Sequence, residues 1–393
     1  MNAMLSKLRR MDWIMFACMI ALIVIGVVFI NSAGSVRPVE ALRNLWRVHA
    51  NTAAVGLVVY MAFAFLDYRK LIDWAALPVF AVSCVMLVAV LFVGTNRFGG
   101  RRWLWFFQPS EVAKLAVILF AVHVFAAAGR SGFRWFLAGV AIMGGPALLV
   151  LAEPDLGTAI VLVPSVLVIL LAARVWTKGI VIMLAAIMIV AGTFLWTVDH
   201  AERQTDPDRR EQIYKYVPLR SHQIQRLRVF LFPDADRSGA GYSIRQVRIS
   251  IGSGGKWGKG LKKGEQKLLG YLPPAVSMND FIFAVLAEEW GFMGVLSMLA
   301  LFLGILVPGL RIAAQCNDDR GRLVVIGILT LVFCHTYVNV AMSVGLVPIT
   351  GIPLPFISAG RTFLIVLMAA LGIVQSVAVH RDGPEPEDGD TAT

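Results

Sequence analysis

Charge-poor apolar runs recur along nearly the whole chain, at 13–36, 48–66, 74–96, 115–129 (extending back to Pro109), 135–152, 157–173, 179–198, 290–310, 323–360 and 362–379. A hydrocarbon layer about 30 Å thick is crossed by about 20 such residues in helical form. The ninth run is too long for one span. It reads as a helix to about Gly345, followed by Val347-Pro-Ile-Thr-Gly-Ile-Pro-Leu-Pro-Phe, whose prolines forbid regular helix. Composition points the same way: 58% of the residues are hydrophobic and 16% charged, against about 25% charged in an average soluble domain. A soluble fold, a disordered chain, a collagen and a disulfide scaffold are excluded. The expected fold is an all-α integral membrane protein with ten transmembrane helices in one polytopic domain, residues 1–381. An acidic, disordered cytoplasmic tail is expected at 382–393.

Sidedness follows from Lys and Arg in the short loops. With the N-terminus inside, Lys7, Arg9, Arg10, Arg69, Lys70, Arg130, Arg134, Arg174, Lys178, Arg311, Arg320, Arg322 and Arg381 are cytoplasmic. Arg37, Arg43, Arg47, Arg97, Arg101, Arg102 and Arg361 are then outside, so thirteen cations oppose seven. Both termini are expected in the cytoplasm, in a multi-pass protein of the bacterial cytoplasmic (inner) membrane. The first run is too long for the apolar core of a cleaved signal peptide. The four cysteines all fall in spans or a cytoplasmic loop, so no disulfide is expected. The six histidines show no ligand spacing, and no metal site is predicted from them.

The net charge is +11, and residues 199–279, the outer loop between the seventh and eighth spans, supply seven of it, with fifteen Lys and Arg against eight acids. A loop this long is functional or disordered more often than not, and its scattered aromatic and apolar residues point to partial order. The charge fits a solvated face or an anion site. Ile244, Val247 and Ile251 repeat at helical spacing while Arg245 and Arg248 point elsewhere, the pattern of a helix lying in the membrane interface. Directly after it, Gly252-Ser-Gly-Gly-Lys-Trp-Gly-Lys-Gly and Lys262, Lys263 and Lys267 combine close backbone approach with positive charge, as phosphate binding requires.

Ionisable residues at the spans are few, and each is a candidate by its cost. Glu111 and Lys114 stand three apart on one helix face, a neutralising pair that can also orient a reacting group. Glu153 and Asp155 form a short outer turn, where Asp155 can cap a helix or both can brace an outer cavity. Asp280 ends the basic loop and opens the eighth span, as a helix cap or as a carboxylate facing the loop. Glu288 and Glu289 lie about 12 Å or more farther along, too far for a close acid/base pair with Asp280, and are expected to pair within the bundle. Glycoside hydrolysis normally uses two carboxylates. One carboxylate with many cations suits inverting transfer from a diphosphate-activated donor, whose leaving group needs no acid.

Six motifs in order resemble the SEDS family (shape, elongation, division and sporulation), and its elongation type above all. They are Arg102-Trp with Phe107-Gln-Pro-Ser-Glu-Val-Ala-Lys, Glu153-Pro-Asp-Leu-Gly-Thr-Ala, Gln225-Arg-Leu with Phe232-Pro, Gln246 with Ile251-Gly-Ser-Gly-Gly and Gly258-Lys-Gly, Asp280-Phe-Ile-Phe-Ala-Val-Leu-Ala-Glu-Glu, and Gly351-Ile-Pro-Leu-Pro-Phe-Ile-Ser. The resemblance implies a peptidoglycan glycosyltransferase that polymerises lipid II in cell elongation, releasing undecaprenyl diphosphate. It implies a class B penicillin-binding protein as transpeptidase partner and contact with other elongation-machinery proteins. Asp280 matches the family's essential aspartate, the base on the acceptor 4-hydroxyl, and Glu111 and Lys114 match its conserved pair. Arg102, Arg226, Arg245, Arg248, Lys259, Lys262 and Ser358 are the expected substrate contacts, with a divalent ion (Mg or Mn) as an optional helper. No organic cofactor and no nucleic acid are expected. Two departures stand out: Met278-Asn279 replace His-Thr before the aspartate, and Ser358-Ala-Gly-Arg-Thr-Phe places Arg361 where the family has Gly-Gly-Ser. Rival readings are a division or sporulation member, a lipid-linked precursor flippase, and an inactive scaffold that recruits the transpeptidase.

Overall fold

The computed structural model describes residues 2–35, 39–97, 100–104, 107–127, 132–153, 155–204, 206–215, 221–232, 239–271 and 277–381. The expected tail at 382–393 lies outside them, as do parts of the 199–279 segment. Among the described residues eight helices are long and apolar enough to cross a membrane: Trp13–Gly34, Leu45–Phe65, Tyr68–Val93, Phe133–Ala152, Thr177–Glu202, Ile282–Gln315, Asp319–Val344 and Arg361–His380. Two of the expected ten, Pro109–Phe125 and Leu156–Ala172, are 17 residues each, or about 26 Å at 1.5 Å per residue. A short hairpin pairs Thr95–Arg97 with Gly100–Trp103. The 199–279 segment carries the helices Pro207–Lys215, Ser221–Leu231, Ala240–Ser253 and Glu265–Leu268.

Burial sorts the helices into a centre and a rim. Arg361–His380 is covered on nearly every face and Asp319–Val344 on most, whereas Thr177–Glu202 is almost bare. Val181, Ile182, Met188, Ile189 and Trp196 of that helix are all exposed. A helix that is apolar all round and lacks protein neighbours is stable only against hydrocarbon. Asp12 starts the first long helix by accepting from Met15 N–H at 2.8 Å. Asp319–Val344 ends at Gly345 in the left-handed conformation, after which 346–360 is irregular, as the prolines require.

Helix Ile282–Gln315 breaks at Gly291, where φ is 68°. The loop 254–260 docks there. Lys259 and Gly260 N–H donate to the carbonyls of Glu288 and Glu289 at 3.0 and 2.9 Å, and Phe292 and Met293 N–H donate to those of Gly255 and Lys256 at 2.9 and 3.1 Å. Backbone groups released by the break are thus satisfied by the loop. A Cβ on Gly258 (φ 78°) would stand 2.2 Å from Glu289 O. The glycine-rich stretch therefore approaches a helix backbone, which corrects the expectation that it is shaped for a phosphate. Gly258→Ala is expected to destabilise the protein by about 1–3 kcal/mol through backbone strain alone. Thermal unfolding in detergent measures this, and an unchanged midpoint would contradict the docking.

The basic helix needs a second correction. Ile244 and Val247 are buried against the protein, and Ser250 Oγ donates to Ala284 O at 3.2 Å and Glu288 Oε2 at 2.9 Å. Its apolar stripe covers helix Ile282–Gln315 instead of lying in lipid. Glu288 and Glu289 likewise find their cations in the loop: Lys259 Nζ lies 2.9 Å from Glu288 Oε1, and Lys267 pairs with Glu289. Ser32 of the first long helix donates to Glu289 at 2.7 Å.

Candidate active site

Asp280 lies two residues ahead of helix Ile282–Gln315, whose N-cap, Phe281, makes no side-chain cap bond. Asp280 therefore stands one residue before the N-cap position, contrary to one sequence expectation. The turn that carries it is tied to the Pro/Gly-rich segment. Ser358 Oγ donates to Asn279 O at 2.6 Å and accepts from Leu354 N–H at 2.8 Å, and Ala359 N–H donates to Met278 O at 3.1 Å. Asn339 Nδ2 donates to the backbone carbonyls of Asp280 and Ile352 at 2.8 and 2.7 Å. A side-chain Cβ on Gly351 (φ 75°) would lie 3.3 Å from Asp280 Oδ2 and 4.0 Å from Arg226 Nη2. The carboxylate and the guanidinium thus share the space over one glycine.

Arg226 projects from helix Ser221–Leu231 and donates to Thr350 O at 3.0 Å. Two residues on, Arg228 is 3.0 Å from Glu202, which also accepts from Tyr214 at 2.8 Å, and this fixes the helix to the end of Thr177–Glu202. Burial raises the Asp280 carboxyl to about 6, while Arg226 and Arg102 hold it from rising further and Asp155 adds to the rise. Burial lowers Arg226, and Arg102 adds to that, against the pull of Asp280 and Asp155.

Asp155 caps helix Leu156–Ala172 by accepting from Thr158 N–H at 3.2 Å and from its hydroxyl at 3.0 Å. It also accepts from Gln108 Nε2 at 3.3 Å and lies 3.7 Å from Arg102, so it both caps and braces. Glu153 is buried, and neither of its oxygens has a hydrogen-bond partner among the described residues. Burial, with Asp155 adding to it and Arg102 opposing, raises its carboxyl to about 8. A carboxyl raised on folding contributes stability below its unfolded pKa of about 4.3, and that stability is lost as pH rises through the folded value. Glu153→Gln should therefore come closest to the wild-type thermal midpoint at about pH 4, below the unfolded value, and exceed it near about pH 9. Equal midpoints at both would refute the buried neutral carboxyl.

Glu111 and Lys114 are buried one turn apart, with Lys114 Nζ 2.8 Å from Glu111 Oε2. The same ammonium lies 2.9 Å from His335 Nε2, on helix Asp319–Val344. His335 and Asn339 were missed from the sequence, yet a histidine inside the apolar run 323–360 is itself a signal of function. Several of the remaining candidates are engaged by the protein itself among the described residues. Ser358 is a buried brace and Lys259 pairs with Glu288 and Glu265. Lys262 offers its backbone N–H to Glu289 at 3.0 Å. The Arg248 guanidinium packs on Gly345, and Arg245 is partly buried. Arg361 is exposed at the first residue of its helix. Among the described residues no three His, Cys, Asp or Glu side chains converge to hold a metal.

The fold and the site define a polytopic helical membrane protein with a carboxylate and two arginines gathered at one end of its bundle. The chain belongs to the FtsW/RodA/SpoVE family, described as cell cycle protein, whose profile matches residues 12–383. It is 35% identical to the peptidoglycan glycosyltransferase MrdB of Escherichia coli K12 over 380 residues, covering 95% of this chain and 94% of that one. Against the peptidoglycan glycosyltransferase RodA of Treponema pallidum the identity is 29%, over 93% and 97% of the two chains. A structure described as the coordination of polymerization and crosslinking by a peptidoglycan synthase complex superposes with a TM-score of 0.74 at 25% identity, covering 94% of this chain and 98% of that one. A variant of the Thermus thermophilus rod shape determining protein RodA superposes with a TM-score of 0.66, again at 25% identity and over 94% and 98% of the chains.

Proposed function

We propose that this chain is a peptidoglycan glycosyltransferase that polymerises lipid II in cell elongation, with a class B penicillin-binding protein supplying the transpeptidase. The observation that carries the reading is the Asp280 carboxylate, ahead of the N-cap position and beside Arg226, in a chain that shares most of its length with glycosyltransferases of this family. In this reading Pro109–Phe125 and Leu156–Ala172 also cross the membrane, giving ten spans. Both termini are cytoplasmic, and Asp280 with the 199–279 segment faces outward.

Asp280 takes the proton from the 4-hydroxyl of the acceptor GlcNAc. That oxygen attacks C1 of the terminal MurNAc on the growing glycan, and the bond from C1 to the diphosphate oxygen breaks. Undecaprenyl diphosphate leaves with the bonding electrons, and the anomeric centre inverts from α to β. Arg226 and Arg102 face the developing negative charge, where fixed cations in a site shielded from water act most strongly. A base with pKa about 6 is matched to neutral operation.

The test is polymerisation of labelled lipid II by the purified chain with its transpeptidase partner blocked. Glycan ladders with release of undecaprenyl diphosphate are expected; their absence, with transbilayer movement of lipid II instead, would favour the flippase reading. The rate should fall on the acid side of about pH 6 as Asp280 protonates. Arg226 stabilises the carboxylate, so Arg226→Gln should move this limb to higher pH and slow turnover at neutrality. A limb that stays in place would remove Arg226 from the environment of the base.

A further inference from the structure

We infer that His335 is a positioning residue for this transfer, acting through Lys114; the inference rests on the glycosyltransferase reading above. Lys114 sits on helix Pro109–Phe125 and is buried, as are Glu111 and His335. An ammonium group has three donors and no acceptor. The ammonium is ion-paired with Glu111 at 2.8 Å and donates to His335 Nε2 at 2.9 Å. Nε2 must accept, so the ring carries its proton on Nδ1. Among the described residues the third N–H has no acceptor, and the face of Phe363 lies 5.3 Å from Nζ.

Phe363 also packs against the His335 ring, with centroids 4.8 Å apart, which leaves the imidazole little freedom to turn. Without His335 the ammonium would be held by Glu111 alone, on its own helix, and could follow that side chain. With His335 it is held between two helices and its third donor has one direction.

The second helix is the one that holds the base. His335 stands one turn before Asn339, on the same face of Asp319–Val344, and Asn339 donates to the Asp280 carbonyl at 2.8 Å. One helix face therefore grips Lys114 at one point and the Asp280 backbone at the next. The consequence is that Lys114 and Asp280 keep a fixed separation, with an ammonium donor set for an oxygen of the bound lipid-linked sugar diphosphate. Misplacement by about 1 Å of a group in such a constellation costs up to about 10²-fold in rate.

The experiment compares His335→Leu, which removes the acceptor, with His335→Gln, whose amide oxygen can replace it. Lys114→Met and the double variant complete a cycle. Each is purified with the partner transpeptidase and assayed for lipid II polymerisation, with kcat and KM separated and thermal midpoints recorded. His335→Leu should lose about 10- to 100-fold in kcat, with KM nearly unchanged, and His335→Gln should recover most of the loss. The double variant should be no slower than Lys114→Met alone. Wild-type kcat in a folded His335→Leu protein would overturn the inference while leaving the glycosyltransferase reading standing. Equal losses in His335→Leu and His335→Gln that add to the Lys114→Met loss would overturn it too, by showing a merely structural role. A wild-type protein without polymerase activity overturns both readings together.

Discussion

Asp280→Asn is expected to abolish polymerisation at the level of general-base catalysis, a loss of about 10²–10⁴-fold in kcat, while the protein stays folded. The amide keeps the size and polarity of the carboxyl and cannot accept the hydroxyl proton. Stability should not fall. The Asp280 carboxyl is raised on folding by burial, to about 6, so its charged form is disfavoured in the native state, and a neutral amide relieves that cost at neutral pH. The grip on its backbone is independent of the side chain, because Asn339 and Ser358 bind carbonyls. A thermal midpoint equal to or above wild type, with no glycan ladder, is the predicted pair of results. Full activity would remove Asp280 as base, and lost activity with a collapsed midpoint would make it structural.

The largest effect on stability is expected from Lys267→Met. Lys267 is among the largest fully buried side chains, and it pairs with Glu289, which is itself fully buried. Its ammonium also donates to Ser32 O at 3.1 Å. Glu289 accepts from Ser32 and from Lys262 N–H, and neither offers a full positive charge. Removing one member of a buried ion pair typically costs about 3–5 kcal/mol, because the other charge is left uncompensated. Replacing both members is often close to neutral, so Lys267→Met with Glu289→Gln should regain most of the lost midpoint. Unfolding in detergent or nanodiscs measures the pair. A mild single variant, or a double variant as unstable as the single, would show that the two charges are not compensating each other.

These two residues differ in how far the chain alone announced them. Asp280 was legible because a carboxylate at the start of an apolar run is locally anomalous, and because its flanking motif resembles a known family. Its place outside the N-cap position was not legible, since Asp is among the residues favoured as a helix cap. The Lys267–Glu289–Ser32 cluster was invisible for a different reason. Lys267 looked like one of several loop lysines, and its partner Ser32 is 235 residues away. Lys259 misled in the same way. Charge in a loop can serve a ligand or a buried acid of the same chain, and composition does not tell these apart.

What the sequence determined by itself was the solvent and the element type. Hydrocarbon demands continuous apolar helix, and that demand is local, so helices and the irregular stretch after Gly345 can be read run by run. The tertiary structure alone decided which charges meet. It broke helix Ile282–Gln315 at Gly291, filled the break with the glycine loop, and set Arg226 beside Asp280 over Gly351. Those pairings depend on burial and on contacts between residues far apart in the chain, where the cost of an unpaired charge selects the partner that packing brings near.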